Sequence, residues 1–231
     1  MSFSAVLFDL DGTLLDTAPD LAGAVNEIRV AHGLAPLPLA ELAPMCSFGG
    51  RGMLQRGLNL YPGDADYAPT YQQFVDCYAE RLTCATTPYP GIRDLVGRLA
   101  ADGWIWGVVT NKAESLALPL MQAMAFDPAP ACVIGGDTAG VPKPDPAPIK
   151  LGLERAGAQA NGSVYVGDSS RDMAAGRAAG LHTIGVSYGY IPEGESAHGW
   201  PAEQIVDTVA ELRNAIDAFS RDAVNNSEAS S

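Results

Sequence analysis

Positive charge is scarce in this chain: its 231 residues carry 14 Lys and Arg against 27 Asp and Glu, a formal net charge of −13. Nucleic acid and acidic membrane surfaces attract clustered Lys and Arg, so neither is an expected partner. An anionic substrate fits such a field only if the site supplies a metal, a few local cations or backbone N–H groups. The four cysteines, Cys46, Cys77, Cys84 and Cys132, include no CxxC pair. Cys77 and Cys84 are seven apart on an expected helix, where about 10 Å of rise would hold them beyond disulfide reach. Reduced thiols and a cytoplasmic setting are expected. No apolar run approaches the roughly eighteen residues of a membrane span, and the opening MSFSAVLFD has no basic region of a secretory leader.

Apolar residues make up 47% of the sequence, enough for a sizeable core. Short apolar runs (Ala5–Asp9, Trp104–Thr110, Cys132–Gly135, Val164–Gly167, Thr183–Val186) alternate with amphipathic stretches (Ile92–Asp102, Glu114–Met124, Pro146–Ala156, Met173–Ala179). This βαβα rhythm predicts an α/β fold, a doubly wound and mostly parallel Rossmann-like sheet with ligands at the carboxyl ends of its strands. Gly103, Gly157 and Gly180 stand where helices should stop. Residues 17–87 break the rhythm, showing only helical patterns at Asp20–His32, Leu39–Pro44, Met53–Leu60 and Asp66–Arg81. The expected organisation is a discontinuous core, 1–16 and 88–231, interrupted by a helical cap at 17–87. A disordered tail is expected at 222–231, where apolar residues give out in NNSEASS.

Chemistry collects at the strand ends. VLFDLDGTLLDT (Val6–Thr17) closes an apolar run with Asp9 and Asp11, and Gly12 allows a turn whose N–H groups could face an anion. VVTNK offers the Thr110 hydroxyl and Asn111 amide to phosphate oxygens; GVPKPDP holds Lys143 between prolines; VYVGDSSRD places Asp168 at a strand end and Asp172 four residues on. Each alone has an ordinary explanation as turn former, helix cap or solvated charge. Together, at one sheet edge, they describe a site for an anion and a cation.

These four motifs, in this order and spanning essentially the whole chain, resemble the haloacid dehalogenase superfamily of phosphatases, and within it the phosphoglycolate phosphatase group. WIWGVVTNK and SYGYIP…HGW are also similar to bacterial N-acetylmuramic acid 6-phosphate phosphatases. The resemblance implies that Asp9 is the nucleophile, giving an aspartyl-phosphate, and that Asp11 is the general acid and then the base. It implies Mg²⁺ held by Asp9, the Asp11 backbone carbonyl and Asp168, with Asp172 as a further or water-mediated ligand. Gly12, Thr110, Asn111 and Lys143 would hold the phosphoryl group. Oxygen-only ligation suits Mg²⁺, which neutralises charge between an anionic nucleophile and an anionic substrate.

Asp11 argues against dehalogenation, since a halide leaves without a proton. Residues 17–87 contain no lysine, which argues against a Schiff-base chemistry in the cap. In the cap, SFGGRGM (Ser47–Met53) suggests a tight Gly-rich loop in which Arg51 grips a carboxylate or sugar oxygen. The expected substrate is a small anionic phosphomonoester, 2-phosphoglycolate first and N-acetylmuramic acid 6-phosphate as the alternative, and the protein is expected to work as a monomer or homodimer. A noncatalytic phospho-acceptor module is the reading from a different class. The buried-looking Trp104 and Trp106 are expected to serve packing, and His32 and His182 to be structural.

Overall fold

Four consecutive apolar residues, Ala5–Phe8, form a strand whose every side chain is buried. Val6 and Phe8 enter one hydrophobic cluster and Ala5 and Leu7 another, on opposite faces. Continuous rather than alternating hydrophobicity is what a strand needs when helices cover both of its faces. The computed structural model describes residues 4–228, and the side chains of 4–219. In chain order, β1 (Ala5–Phe8) leads to a short β2 (Leu15–Asp16), then α1 (Ala18–Ala31), α2 (Leu39–Leu42), a 3₁₀ segment (Ala43–Phe48), α3 (Gly49–Leu58) and α4 (Tyr67–Arg81). After β3 (Thr87–Pro88) come α5 (Ile92–Ala101), β4 (Ile105–Val109), α6 (Glu114–Met124), β5 (Val133–Ile134) and α7 (Ala147–Ala156). The chain closes with β6 (Val164–Gly167), α8 (Ser170–Ala178), β7 (His182–Val186), β8 (Gln204–Val206) and α9 (Val209–Glu228).

The main sheet has the order β5-β4-β1-β6-β7-β8 and every pairing in it is parallel. From β1 the chain builds outward on one side through β4 and β5, then returns to build the other side from β6. The crevice beyond the carboxyl end of β1 is therefore the switch point at which such sheets bind ligands. Helices α1 to α4 gather around their own hydrophobic cluster, including Leu21, Val25, Ile28, Met53, Leu54, Phe74 and Tyr78. They leave and rejoin the core through β2 and β3, which pair antiparallel with Asp16 opposite Thr87. Among the described residues, no helix is long and apolar enough to cross a membrane.

The structure departs from the expected elements in ways that have local causes. Gly103, Gly157 and Gly180 do follow α5, α7 and α8, with φ of 86°, 64° and 85°. Helix α8 begins at Ser170, ahead of the expected Met173, because the Ser169 side chain accepts from the Asp172 N–H and caps a polar first turn that shows no apolar period. The expected loop at Ser47–Met53 is instead the end of the 3₁₀ segment joined to α3. Its glycines still permit close approach: a Cβ on Gly50 would lie 2.9 Å from the Phe74 ring, and one on Gly52 2.5 Å from the Met45 carbonyl oxygen. Helix α4 ends at Arg81, so Cys84 does not share a helix with Cys77; all four cysteines are free. Trp104 precedes β4, and both it and Trp106 pack on the core cluster. Of the tail expected at 222–231, residues 222–228 continue α9 and residues 229–231 lie outside the described residues.

Candidate active site

Asp9 follows β1 directly, its N–H bonded to the Val166 carbonyl at 2.8 Å, so the neighbouring strand fixes where its carboxylate emerges. The Lys143 ammonium lies 3.0 Å from Asp9 Oδ1. That contact is an ion pair without hydrogen-bond alignment, and Oδ1 is a buried oxygen with no hydrogen-bond partner. Lys143 aligns its protons elsewhere: 2.6 Å to the Tyr165 hydroxyl, 2.7 Å to Asp172 Oδ1 and 2.9 Å to the Val109 carbonyl. Burial alone would depress the ammonium, but the Asp172 and Asp9 carboxylates outweigh it and hold the group charged.

Asp168 directly follows β6, buried, with Oδ2 accepting from the Tyr190 N–H at 2.8 Å. Asp172, on the first turn of α8, takes Lys143 on one oxygen and the Ser169 hydroxyl, at 2.6 Å, on the other. Asp9, Asp168 and Asp172 each offer a carboxylate oxygen within 4.8 Å of the others. Burial lifts Asp9 to about 6 against the pull of Lys143. Burial, reinforced by the Asp9 and Asp172 charges, raises Asp168 well above the usual carboxylate range. Three crowded carboxylates, one with a buried oxygen that accepts no aligned hydrogen bond, suit a hard cation ligated by oxygen.

Asp11 stands apart from this trio. Its Oδ1 accepts from the Thr17 hydroxyl at 2.6 Å and from the Lys112 ammonium at 2.8 Å. Lys112 also reaches the Tyr78 hydroxyl of α4 at 2.8 Å and lies 4.5 Å from that ring's centroid, so one buried cation joins the core's acid to the cap. Gly12 has φ 81° and donates its N–H to the Leu15 carbonyl at 2.9 Å; that proton is spent inside the turn rather than aimed at an anion. What the glycine provides is room, for a Cβ there would lie 2.0 Å from Asp168 Oδ2.

Thr110 directly follows β4, buried, its Oγ1 accepting from the Lys112 N–H at 3.2 Å while its own proton remains to donate. Asn111 borders the cleft, but its side-chain amide is engaged by the backbone of the lysine loop. Its oxygen accepts from the Lys143 N–H at 2.8 Å and its nitrogen donates to the Lys143 carbonyl at 2.9 Å, clamping the loop that carries the lysine.

A cavity of about 440 Å³ opens over these residues. Asp9, Asp11, Thr110, Lys143, Asp168 and Asp172 form its floor, and Phe48, Arg51, Tyr71, Phe74 and Tyr78 its cap-side wall. Arg51 is exposed on α3 but borders the same space as the nucleophile candidate. Arg171, from the segment between Asp168 and Asp172, donates to the Ser47 carbonyl and lies against the Phe48 ring. Sequence reasoning brought together Asp9, Asp11, Thr110, Lys143, Asp168 and Asp172, and missed Lys112, Tyr78, Arg171 and Tyr190. Lys112 had a signal, since it completes VVTNK; the others depend on contacts between distant segments.

The chain matches a family model for haloacid dehalogenase-like hydrolases over residues 6–186. It is 39% identical over 218 residues to an N-acetylmuramic acid 6-phosphate phosphatase of Pseudomonas aeruginosa, covering 94% of this chain and 96% of that protein. It is 37% identical over 208 residues to a phosphoglycolate phosphatase of Xanthomonas campestris, covering 90% and 94%. A predicted phosphoglycolate phosphatase from Haemophilus somnus, known as a crystal structure, superposes with a TM-score of 0.80 at 26% identity, covering 93% of this chain and 98% of that one.

Proposed function

This chain belongs to the haloacid dehalogenase-like hydrolases, and from that premise we propose that it is a magnesium-dependent phosphatase that releases phosphate from N-acetylmuramic acid 6-phosphate through an aspartyl-phosphate on Asp9. Family membership sets aside the noncatalytic phospho-acceptor. The ion would be held by Asp9, Asp168 and the Asp11 backbone carbonyl. Asp172, already engaged by Lys143 and Ser169, fits an outer place holding a ligand water. When bound, Mg²⁺ supplies the positive charge that lets an anionic nucleophile meet a phosphate.

In the first displacement an Asp9 oxygen bonds to phosphorus as the ester P–O bond breaks, and the proton on Asp11 goes to the departing oxygen. In the second, water attacks the same phosphorus, Asp11 takes the water's proton and the Asp9–phosphorus bond breaks. Lys143 and the Thr110 hydroxyl hold equatorial oxygens while Asn111 keeps the lysine's loop in place. Lys112, 2.8 Å from Asp11, keeps that carboxylate facing the side from which a leaving group departs.

The cavity carries the choice of substrate. About 440 Å³ lined on the cap side by Phe48, Tyr71, Phe74 and Tyr78 is far more space, and more apolar surface, than a two-carbon acid fills; volumes of roughly 300–1,000 Å³ accommodate drug-sized ligands. A phosphosugar bearing a carboxylate places its ring against the aromatics and its acid near Arg51 or Arg171. The second reading is 2-phosphoglycolate, favoured by the Lys112 ammonium, a cation beside Asp11 that a carboxylate close to the ester oxygen would pair with.

With Mg²⁺ and a panel of N-acetylmuramic acid 6-phosphate, N-acetylglucosamine 6-phosphate, glucose 6-phosphate and 2-phosphoglycolate, kcat/KM should be highest for the first by about a hundredfold, the scale on which a largely apolar pocket discriminates. The same margin in favour of 2-phosphoglycolate would select the second reading. No turnover of any ester would remove both.

A further inference from the structure

SYGYIP (Ser187–Pro192) has entered so far only as one N–H to Asp168, yet Tyr190 touches that metal-site acid, the hinge and the cap at once. Its N–H holds Asp168 Oδ2 at 2.8 Å, its carbonyl accepts from the Ser47 hydroxyl, and its buried ring packs in the cap's hydrophobic cluster. The phenol oxygen accepts from the N–H of Thr17 at 2.6 Å and of Ala18 at 2.8 Å, and donates to Asp16 Oδ1 at 2.7 Å. One donor and two acceptor positions use a hydroxyl's full capacity.

Thr17 is the N-cap residue of α1, a place where a threonine hydroxyl ordinarily turns back to a first-turn N–H. Here it makes no such bond and donates to Asp11 instead. Pro19, the second helical residue, has no N–H for a cap to take, and the Thr17 and Ala18 N–H groups are held from outside the helix by Tyr190, which pins the Thr17 backbone while its hydroxyl reaches the acid. We propose that Tyr190 is a positioning residue: by capping the cap's first helix from the core, it fixes Thr17 and through it the direction of the Asp11 carboxylate. Tyr190 touches no reacting atom. Its effect is on proton delivery to the leaving oxygen, so the inference rests on the reading of Asp11 as the acid.

The test compares kcat/KM on two esters, the best alkyl phosphate of the panel, which needs a proton on departure, and 2,4-dinitrophenyl phosphate, which does not. Tyr190→Phe keeps the ring and the backbone contact to Asp168 but removes the phenol oxygen. It should lose about tenfold on the alkyl ester and less than about twofold on the aryl ester, as expected for misaimed rather than absent acid catalysis. Thr17→Val should show the same selective loss, and the double variant should be no worse than either single, since both break one link.

Equal loss on the two esters, or losses that multiply in the double variant, would overturn the proposal. Should Tyr190→Phe fail to fold, Thr17→Val decides: an alkyl-selective loss supports the link, and none overturns it. Asp11→Asn separates this inference from the reading beneath it. If Asp11→Asn is itself unselective between the esters, the acid assignment fails; if it is selective and Tyr190→Phe is not, only the role of Tyr190 fails.

Discussion

Replacing Lys143 by Met keeps most of the side chain's length and removes its charge from between Asp9 and Asp172. The ammonium is buried, 3.0 Å from one carboxylate and 2.7 Å from the other, and also bonds Tyr165 and Val109. Its loss leaves two buried acids facing each other, with Asp168 close by, and no cation among them. Breaking a buried pair from one side destabilises by about 3–5 kcal/mol, and with a urea dependence of about 3 kcal/mol per M the unfolding midpoint should fall by about 1–1.7 M. The measurement is urea unfolding by circular dichroism at pH 8 with chelator, parent against variant. Two changes should narrow the gap: lowering the pH to 5, which protonates a carboxylate that no longer has its lysine, and adding Mg²⁺, which restores positive charge to the cluster. A midpoint within about 0.3 M of the parent at pH 8, against the several kcal/mol expected for an unpaired buried charge, would refute the view that Lys143 neutralises this acidic floor.

Three further outcomes follow from the same geometry. Chelation should abolish turnover, and in metal-free protein the stability contributed by Asp9, raised to about 6, should be present below the ordinary value of 3.8 and lost as pH rises through 6; Mg²⁺ should therefore raise the thermal midpoint more at pH 7 than at pH 5, and an equal increment at both would refute it. Asp9→Asn should leave no detectable turnover while the protein still unfolds cooperatively, because an amide cannot form the acyl phosphate; turnover within tenfold of the parent would remove Asp9 as nucleophile. Arg51→Ala should lower kcat/KM for the preferred carboxylate-bearing substrate by about 2–3 kcal/mol, the scale of a charge-assisted contact, and leave N-acetylglucosamine 6-phosphate nearly unchanged. A uniform loss on all esters would make Arg51 a structural element of α3.

Residues whose chemistry coincides with a strand end are legible in the amino-acid order itself. Ala5–Phe8 announces a doubly covered strand, and Asp9, Thr110 and Asp168 each follow an apolar run. Elements of two or three residues, such as β2, β3 and β8, are too short to show a period. Gly12 and Asn111 had the right address and the wrong partner: sequence reports that an N–H and an amide are present, but the Leu15 carbonyl and the Lys143 backbone claimed them first. Tyr190 stood inside the quoted SYGYIP with no sign of its role, because its partners Thr17 and Asp16 lie 173 and 174 residues away in the chain. A tyrosine in a loop carries no local sign of such company.

The pairing of Asp16 with Thr87 has a consequence for how such a protein can diversify. Seen from the core, everything between those residues is one closed loop whose ends already touch. The entropy of closing a loop grows only logarithmically with its length, each doubling adding about 0.6 kcal/mol. A lineage can therefore lengthen, shorten or exchange the inserted helices at little entropic expense to the sheet, provided that the two ends still meet and that contacts such as Lys112 with Tyr78 are kept or replaced. Relatives named for substrates as unlike as a two-carbon acid and an amino sugar acid can then share one phosphate-handling floor, with the novelty confined to a segment the sheet does not have to fold around.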